Sequence, residues 1–295
     1  MKLLVTGVCG RLGRAIATEA SAQGMTVVGL DIVGWPADVD LPANVHLNEC
    51  SFEDLDRVAR LLEGCDAMIH TAGPHGGFVE TLDLPGFLEG NVVVAARLLE
   101  AGLKAGLKGV NLASTMEVLV GRNWDTSGAA FLDEDSPPQT DSAYSLSRLL
   151  GEHLAREFSR QHGLATSCIR YSGFGYMPDE DLGPRLLART ISPRDAARAT
   201  ILAATNYDLK GDLFLIAPEA PHRIVDMAMA LTDPYKVLEE YFPGASAILA
   251  RRDMELLPTN FWPICSTRKA HRVLGWRAEL NFENWLNMHG WKRPE

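Results

Sequence analysis

Thr6-Gly7-Val8-Cys9-Gly10-Arg11-Leu12-Gly13 stands directly behind the apolar run Leu3-Leu4-Val5 and directly ahead of a segment of helical period. Glycines at a strand-to-helix junction permit a tight turn and let backbone approach a pyrophosphate, whose charge is favoured by the helix N-terminus. An ordinary strand-to-helix turn reads the same from glycines alone. Two further features favour dinucleotide binding: the motif sits at the first such junction of the chain, and Asp31 closes the second strand. An aspartate there accepts both ribose hydroxyls of NAD and repels the 2′-phosphate of NADP. Asp31 as a plain strand-end turn residue is the competing reading.

Outward from this motif, short apolar runs alternate with helical segments, the pattern of parallel β-α-β units. Strands are expected at 2–6, 26–30, 45–47, 67–71, 109–113 and 165–171, with helices at 11–23, 52–62, 90–105 and 143–162. The fold class is α/β, a doubly wound parallel sheet of the Rossmann kind, whose ligands lie beyond the carboxyl ends of the strands. A loop rich in Gly, Pro and acidic residues follows at 173–182. Ser192 before Pro193 then caps a helix running to about 205, and a strand at 213–216 returns to the sheet. Residues 1–172, continuing through about 191–216, form the expected dinucleotide-binding domain. Residues 173–190 and 217–295 form a smaller substrate lobe, anchored by Trp262, Trp276, Trp285 and Trp291.

The 295 residues, 46% hydrophobic, suffice for one large core with an appended lobe. A balance of 28 Lys and Arg against 38 Asp and Glu, net −10, argues against nucleic-acid binding. Cys9, Cys50, Cys65, Cys168 and Cys265 are odd in number and never spaced C-x-x-C, so neither a disulfide framework nor a zinc site is expected. No run approaches the ~20 apolar residues of a membrane span. No targeting segment is read at the N-terminus, and the cytoplasm is the expected compartment.

The second chemical motif is Tyr144-Ser145-Leu146-Ser147-Arg148 at the start of a helix. Positions i and i+4 share a face, so phenol and guanidinium point together into a cleft while Leu146, Leu149, Leu150, Leu154 and Phe158 pack inward. Bringing a phenol from its ordinary pKa near 10 to about 7 needs roughly 4 kcal/mol of phenolate stabilisation, to which a fixed cation contributes. Ser114 and Thr115, after the fifth strand, offer hydroxyls to hold a substrate oxygen beside the phenol. Singly, each has a bland reading: helix-edge aromatic, solvated charge, loop cap.

Together these residues resemble the extended short-chain dehydrogenase/reductase family, which contains NAD-dependent sugar epimerases, dehydratases and uronate dehydrogenases. The resemblance runs through the glycine motif, Cys65-Asp66-Ala67-Met68-Ile69-His70-Thr71-Ala72-Gly73, Gly90-Asn91-Val92 and Leu112-Ala113-Ser114-Thr115. It continues through the Tyr144 helix, Ile169-Arg170-Tyr171, Ser192-Pro193-Arg194-Asp195, Ser266-Thr267-Arg268-Lys269 and Leu274-Gly275-Trp276. It implies Tyr144 as the acid/base during hydride transfer, with Thr115, or Ser114 one position away, bonded to the same oxygen. It also implies NAD held by Gly7, Gly10 and Gly13 at the pyrophosphate, Asp31 at the adenine ribose, and Ala72 and Gly73 at the middle. Cys9, Arg11, Leu12, Ile32, Asn48, Asn91 and Tyr171 complete the expected cofactor contacts.

Three departures stand out. Arg148 occupies the family's lysine position, keeping the charge in a larger, planar group. Asn48 or Glu49 stands where an acidic residue lies near the adenine. The segment from Tyr171 to Ser192 is short, which favours a compact sugar-like substrate over a nucleotide sugar. The resemblance implies a homodimer paired through the helices at 90–105 and 143–162. His70, His75 and His222 are placed in the cleft without metal-ligand spacing, and no metal is expected. Arg251-Arg252 reads as a solvated pair or as an anion contact. The alternative to an enzyme is a non-catalytic dinucleotide-binding regulator or scaffold that kept the fold, which has no need for Tyr144 and Thr115 to converge.

Overall fold

The computed structural model describes residues 1–121, 131–175 and 177–294; Tyr176, inside the loop expected at 173–182, lies outside them. The apolar runs form β1 (Lys2–Thr6), β2 (Thr26–Asp31), β3 (Val45–Glu49), β4 (Ala67–His70), β5 (Gly109–Thr115), β7 (Ala165–Tyr171) and β8 (Asp212–Ile216), with a short β6 (Phe131–Leu132) between β5 and β7. The seven longer strands pair in parallel in the order β3-β2-β1-β4-β5-β7-β8. The order reverses direction between β1 and β4, which creates the switch-point crevice where such sheets bind ligands. A separate two-stranded pair joins β6 to β9 (Ile264–Cys265).

Alternation along each strand feeds two apolar layers. Leu3 and Val5 of β1 join one cluster, built with α1 (Arg11–Ala22) and the alanine-rich α7 (Pro193–Ala204). Leu4 joins the other, built with α2 (Leu55–Leu62), α4 (Val94–Lys104) and α6 (Ala143–His162). The helix expected at 90–105 starts earlier: α3 (Leu84–Leu88) passes into a single π turn, Glu89–Val93, and then into α4. Short α5 (Glu117–Val120) follows β5 directly.

The reading of α6 needs a correction. Its buried face carries Tyr144, Ser145, Ser147, Arg148, Gly151, Glu152, Ala155, Phe158 and Ser159, and half-buried Leu154 packs inward with Phe158 as expected, whereas Leu150 is 39% exposed and Leu146 and Leu149 are half-buried. Small serines and a glycine let the helix lie close to the π turn and to β5, which turns Leu146, Leu149 and Leu150 outward. Ser142 starts the helix with a capping box shared with Ser145, and Gly163, left-handed at φ 70°, ends it.

After β8 come α8 (Met227–Thr232), α9 (Pro234–Tyr241), α10 (Ala245–Arg251), α11 (Arg268–Leu274) and α12 (Phe282–Met288). A third apolar cluster gathers Leu182, Leu186 and Leu187 with α9, α10, Trp285 and Trp291. Trp262 packs with Met227 and Ile264. Trp276 is not part of that lobe: with Ala270 and Leu274 it enters the α1–α7 layer, because its indole nitrogen donates to the Asp195 carbonyl at 3.0 Å.

Asp195 ties the C-terminal segment to α7. Its buried carboxylate accepts from the backbone N–H of Glu279 at 2.8 Å and Leu280 at 3.0 Å, from the Ser192 hydroxyl at 3.0 Å and from Arg198 at 3.1 Å. Removing it strands the buried Ser192 hydroxyl and two part-buried backbone N–H groups at once. Asp195→Ala is therefore expected to destabilise the protein by about 3 kcal/mol, read as a lower urea midpoint at unchanged slope; a midpoint within error of the parent rejects the clamp.

Candidate active site

At the first β–α junction, backbone lies against backbone. Gly7 has φ +69°, and a Cβ placed there would stand 2.6 Å from the nitrogen of Ala72; one on Gly13 would stand 2.1 Å from the Gly7 carbonyl oxygen. These two glycines are demanded by close approach of β1, β4 and α1 rather than by any ligand. Gly10, the N-cap of α1, caps with no side chain, so the first N–H groups of the helix face the crevice. Arg11 opens the helix exposed, its stem beside Gly175, while Leu12 is buried. Asp31 is buried, its carboxylate accepting from the backbone N–H of Cys9 at 2.8 Å and of Ile32 at 2.8 Å. It is thus both a strand-end turn residue and a fixed negative charge at the mouth of the glycine loop. Ile32 is 60% exposed beside it. Asn48 spends its amide on the backbone oxygens of His46 and Gly29.

Tyr144 and Arg148 leave the first two turns of α6 toward the carboxyl end of β5. The guanidinium carbon lies 5.5 Å from the Tyr144 ring centroid, and Nη1 donates to the Ala113 carbonyl at 2.9 Å. Both side chains are buried, and Phe87 of α3 packs on the phenol ring at 6.0 Å. Burial pushes the Tyr144 pKa up from its ordinary value. The charge of Arg148 and hydrogen bonds to Thr115 and Arg148 pull it down, while the charge of Glu117 adds to the rise. Without a ligand the site therefore rests as the neutral phenol. Thr115 meets this phenol, whereas the Ser114 hydroxyl donates to Glu152, further along the same helix, at 2.6 Å.

Glu152 in turn takes Arg170 through two bonds, at 2.8 and 2.7 Å, with both side chains about 95% buried. Tyr171, expected at the cofactor, faces the α7 layer instead, its hydroxyl 2.6 Å from Thr200. Asn91 projects from the π turn; its amide donates to the Pro74 carbonyl at 3.0 Å and the Ser147 hydroxyl at 2.9 Å. Gly73, at φ +121°, has no room for a side chain because the Asn91 amide oxygen would stand 2.3 Å from its Cβ. Ala72 is buried against the glycine turn.

Of the three histidines, His70 ends β4 beneath the site, its Nδ1 2.7 Å from the Thr6 hydroxyl, and desolvation holds it neutral with its pKa pushed down to about 3. His75 caps the turn at Gly77, and His222 bonds the Phe261 carbonyl in the C-terminal part. Arg252 holds the loop at Glu180 and Asp181. Among the described residues, no group of three or more His, Cys, Asp or Glu side chains is placed to hold a metal, and no helix is long and apolar enough to cross a membrane. Sequence reasoning missed Glu117, two residues beyond Thr115, where only the tight entry from β5 into α5 brings a carboxylate beside the phenol.

The chain is 28% identical over 197 residues to a uronate dehydrogenase of Pseudomonas syringae pv. tomato, covering 67% of each chain. It is 30% identical over 176 residues to a UDP-glucose 4-epimerase of Azospirillum brasilense, covering 58% of this chain and 48% of that one. The matches thus span about half to two thirds of these relatives. Among solved structures, a mutated uronate dehydrogenase superposes with a TM-score of 0.67 at 22% identity, over 100% of this chain and 87% of that one. MoeE5 in complex with UDP-glucose and NAD superposes with a TM-score of 0.70 at 20% identity, over 98% and 97%, a likeness of fold. The family model described as "NAD dependent epimerase/dehydratase family" matches residues 3–193, so this chain, with its glycine junction, Asp31 and Tyr144 at one sheet edge, belongs to that family.

Proposed function

We propose that the protein is an NAD-dependent oxidoreductase or epimerase that acts on a hydroxyl or carbonyl of a sugar-like substrate. The observation that carries this reading is the meeting of Tyr144, Thr115 and Arg148 beside the switch point. A non-catalytic regulator of the same fold has no need of that convergence. NAD fits the residues present: the uncapped first turn of α1 would hold the pyrophosphate and Asp31 the adenine ribose. When bound, NAD supplies the acceptor or donor of a hydride. Thr115 orients the substrate oxygen, Tyr144 exchanges its proton, and Arg148 stabilises the phenolate that forms.

Residues 1–172 with about 191–216 serve as the nucleotide-binding domain. The segments 173–190 and 217–295 carry the substrate lobe, apart from the Trp276 region that packs on α7. The relatives' names and the short segment after β7 support a sugar or sugar acid as substrate. Leu146, Leu149 and Leu150 on the outer side of α6 support pairing of two copies. The decisive experiment screens sugars, aldonic and uronic acids and nucleotide sugars with NAD, following reduced nicotinamide and product stereochemistry. NAD binding without turnover of any of them favours the regulator.

Four outcomes are expected. NAD binds about tenfold to a hundredfold more tightly than NADP, because the Asp31 charge is fixed in place; equal affinities by calorimetry reject that role. Tyr144→Phe abolishes turnover while NAD affinity stays within a few-fold, since the pyrophosphate loop is untouched. The phenol pKa is raised in the free protein, so oxidation of a hydroxyl speeds up with rising pH through a limb above neutrality. Arg148→Ala removes a charge that opposes the rise, so this limb moves further up and turnover at neutral pH falls. An unchanged pH profile and rate would make Arg148 a bystander.

A further inference from the structure

Cys9, in the turn between β1 and α1, is held through both of its peptide groups. Its N–H donates to Asp31 Oδ2 at 2.8 Å, and its carbonyl accepts from Nη1 of Arg14 at 2.6 Å. The Gly10 N–H, on the same peptide as that carbonyl, closes the turn on the Gly7 oxygen at 3.0 Å. Together these bonds fix the two backbone torsions of Cys9, and with them the start of α1 against the end of β2.

Arg14 stands where a helix gains nothing from a cation. α1 opens Arg11-Leu12-Gly13-Arg14 with no acid in its first turn, and positive charge at that end opposes the helix dipole. Arg14 is half-buried, makes no ion pair among the described residues, and gives its hydrogen bond to the Cys9 carbonyl. A charge-assisted bond to that one main-chain oxygen is the compensation for the unfavourable placement.

The other end of the arrangement bears on cofactor choice. Asp31 Oδ1 accepts from its own strand end, from the N–H of Ile32 at 2.8 Å and of Val33 at 3.4 Å, whereas Oδ2 reaches across to Cys9. Among the described residues, the Cys9 bond is what ties the carboxylate to the glycine turn. A carboxylate discriminates against a 2′-phosphate only while it is fixed where that phosphate has to lie.

We propose that Arg14 is a positioning residue for cofactor selection: by holding the Cys9 carbonyl it keeps the Cys9 N–H on Asp31, and so keeps the Asp31 charge where it excludes the 2′-phosphate of NADP. This rests on the proposed role of Asp31 at the adenine ribose. Three physical roles for Arg14 give different signs. Removing a positioning residue loosens Asp31, and the preference for NAD falls. Removing a residue needed only for folding lowers both affinities together and leaves their ratio. Removing a cation that acts directly on phosphate costs NADP, the more negative ligand, more than NAD, and the ratio rises.

The test measures NAD and NADP binding by calorimetry on the parent, Arg14→Met and Arg14→Lys. Methionine keeps an unbranched stem without charge or donor; lysine restores a charged donor. The parent's preference of about tenfold to a hundredfold is expected to fall to about threefold or less in Arg14→Met, with most of it recovered in Arg14→Lys. A second readout needs no cofactor: exchange of the Cys9 amide hydrogen, followed by NMR, is expected to quicken about tenfold in Arg14→Met while amides of β4 and β5 keep their rates. Arg14→Gln carries the same expectations where the methionine variant does not fold.

A ratio that stays at the parent's value or rises overturns the proposal, as does a Cys9 amide whose exchange is unchanged. A parent that binds NAD and NADP equally overturns the role of Asp31 and this inference with it; a parent that prefers NAD, with the preference untouched in Arg14→Met, overturns this inference alone. If the preference collapses in Arg14→Met and the parent turns over no sugar, this inference stands and the oxidoreductase reading fails.

Discussion

The contact between the backbones of Gly7, Ala72 and Gly13 is the constraint from which the site follows. With no Cβ at Gly7 or Gly13, α1 begins directly over the end of β1 and against the segment leaving β4, at the point where the sheet order reverses. Asp31 locks that turn to β2 through the Cys9 N–H. The strand-borne site residues then inherit their places from register: Thr6 lies opposite His70, and Thr115 opposite Tyr171. The crevice is thus a property of the sheet edge, and the side chains that fill it are carried there by adjacent, parallel strands.

Charge in the interior is handled in two ways on one helix face. Glu152 and Arg148 stand one turn apart on α6, the spacing of an ordinary helical ion pair, yet Glu152 is engaged by Arg170 from β7 and by the Ser114 hydroxyl. Arg148 makes no ion pair among the described residues, and its guanidinium is left to act on the phenol. The buried pair and the uncompensated cation thus sit one turn apart on the same face of α6. Neutral His70 adds no second charge beneath the site.

Local signals made most of the sheet and the glycine junction legible. β-branched and leucine runs bounded by glycine or polar residues placed the strands to within two residues, and the ends that shifted, at Asp31, Glu49, His70 and Thr115, lie where pairing with a neighbour lengthens or shortens a ladder. The helix around Asn91 was less legible, because a π turn inside continuous helix has no composition of its own. Ser114 and Thr115 could not be told apart for the same kind of reason: both hydroxyls meet side chains of α6, and only the finished packing shows that Thr115 takes Tyr144 and Ser114 takes Glu152.

The sequence by itself determined the doubly wound α/β class, the dinucleotide-binding turn and the pairing of Tyr144 with Arg148, since each follows from periodicity or from spacing along a single element. Tertiary structure decided which face of α6 is buried, the outward turn of Leu146, Leu149 and Leu150, the diversion of Tyr171 to Thr200 and of Trp276 to α7, and the gathering of His70, Asn91 and Arg148 around one cavity. These depend on contacts between residues tens of positions apart. A hydrophobic pattern says that a face wants cover, but not which of two available neighbours provides it.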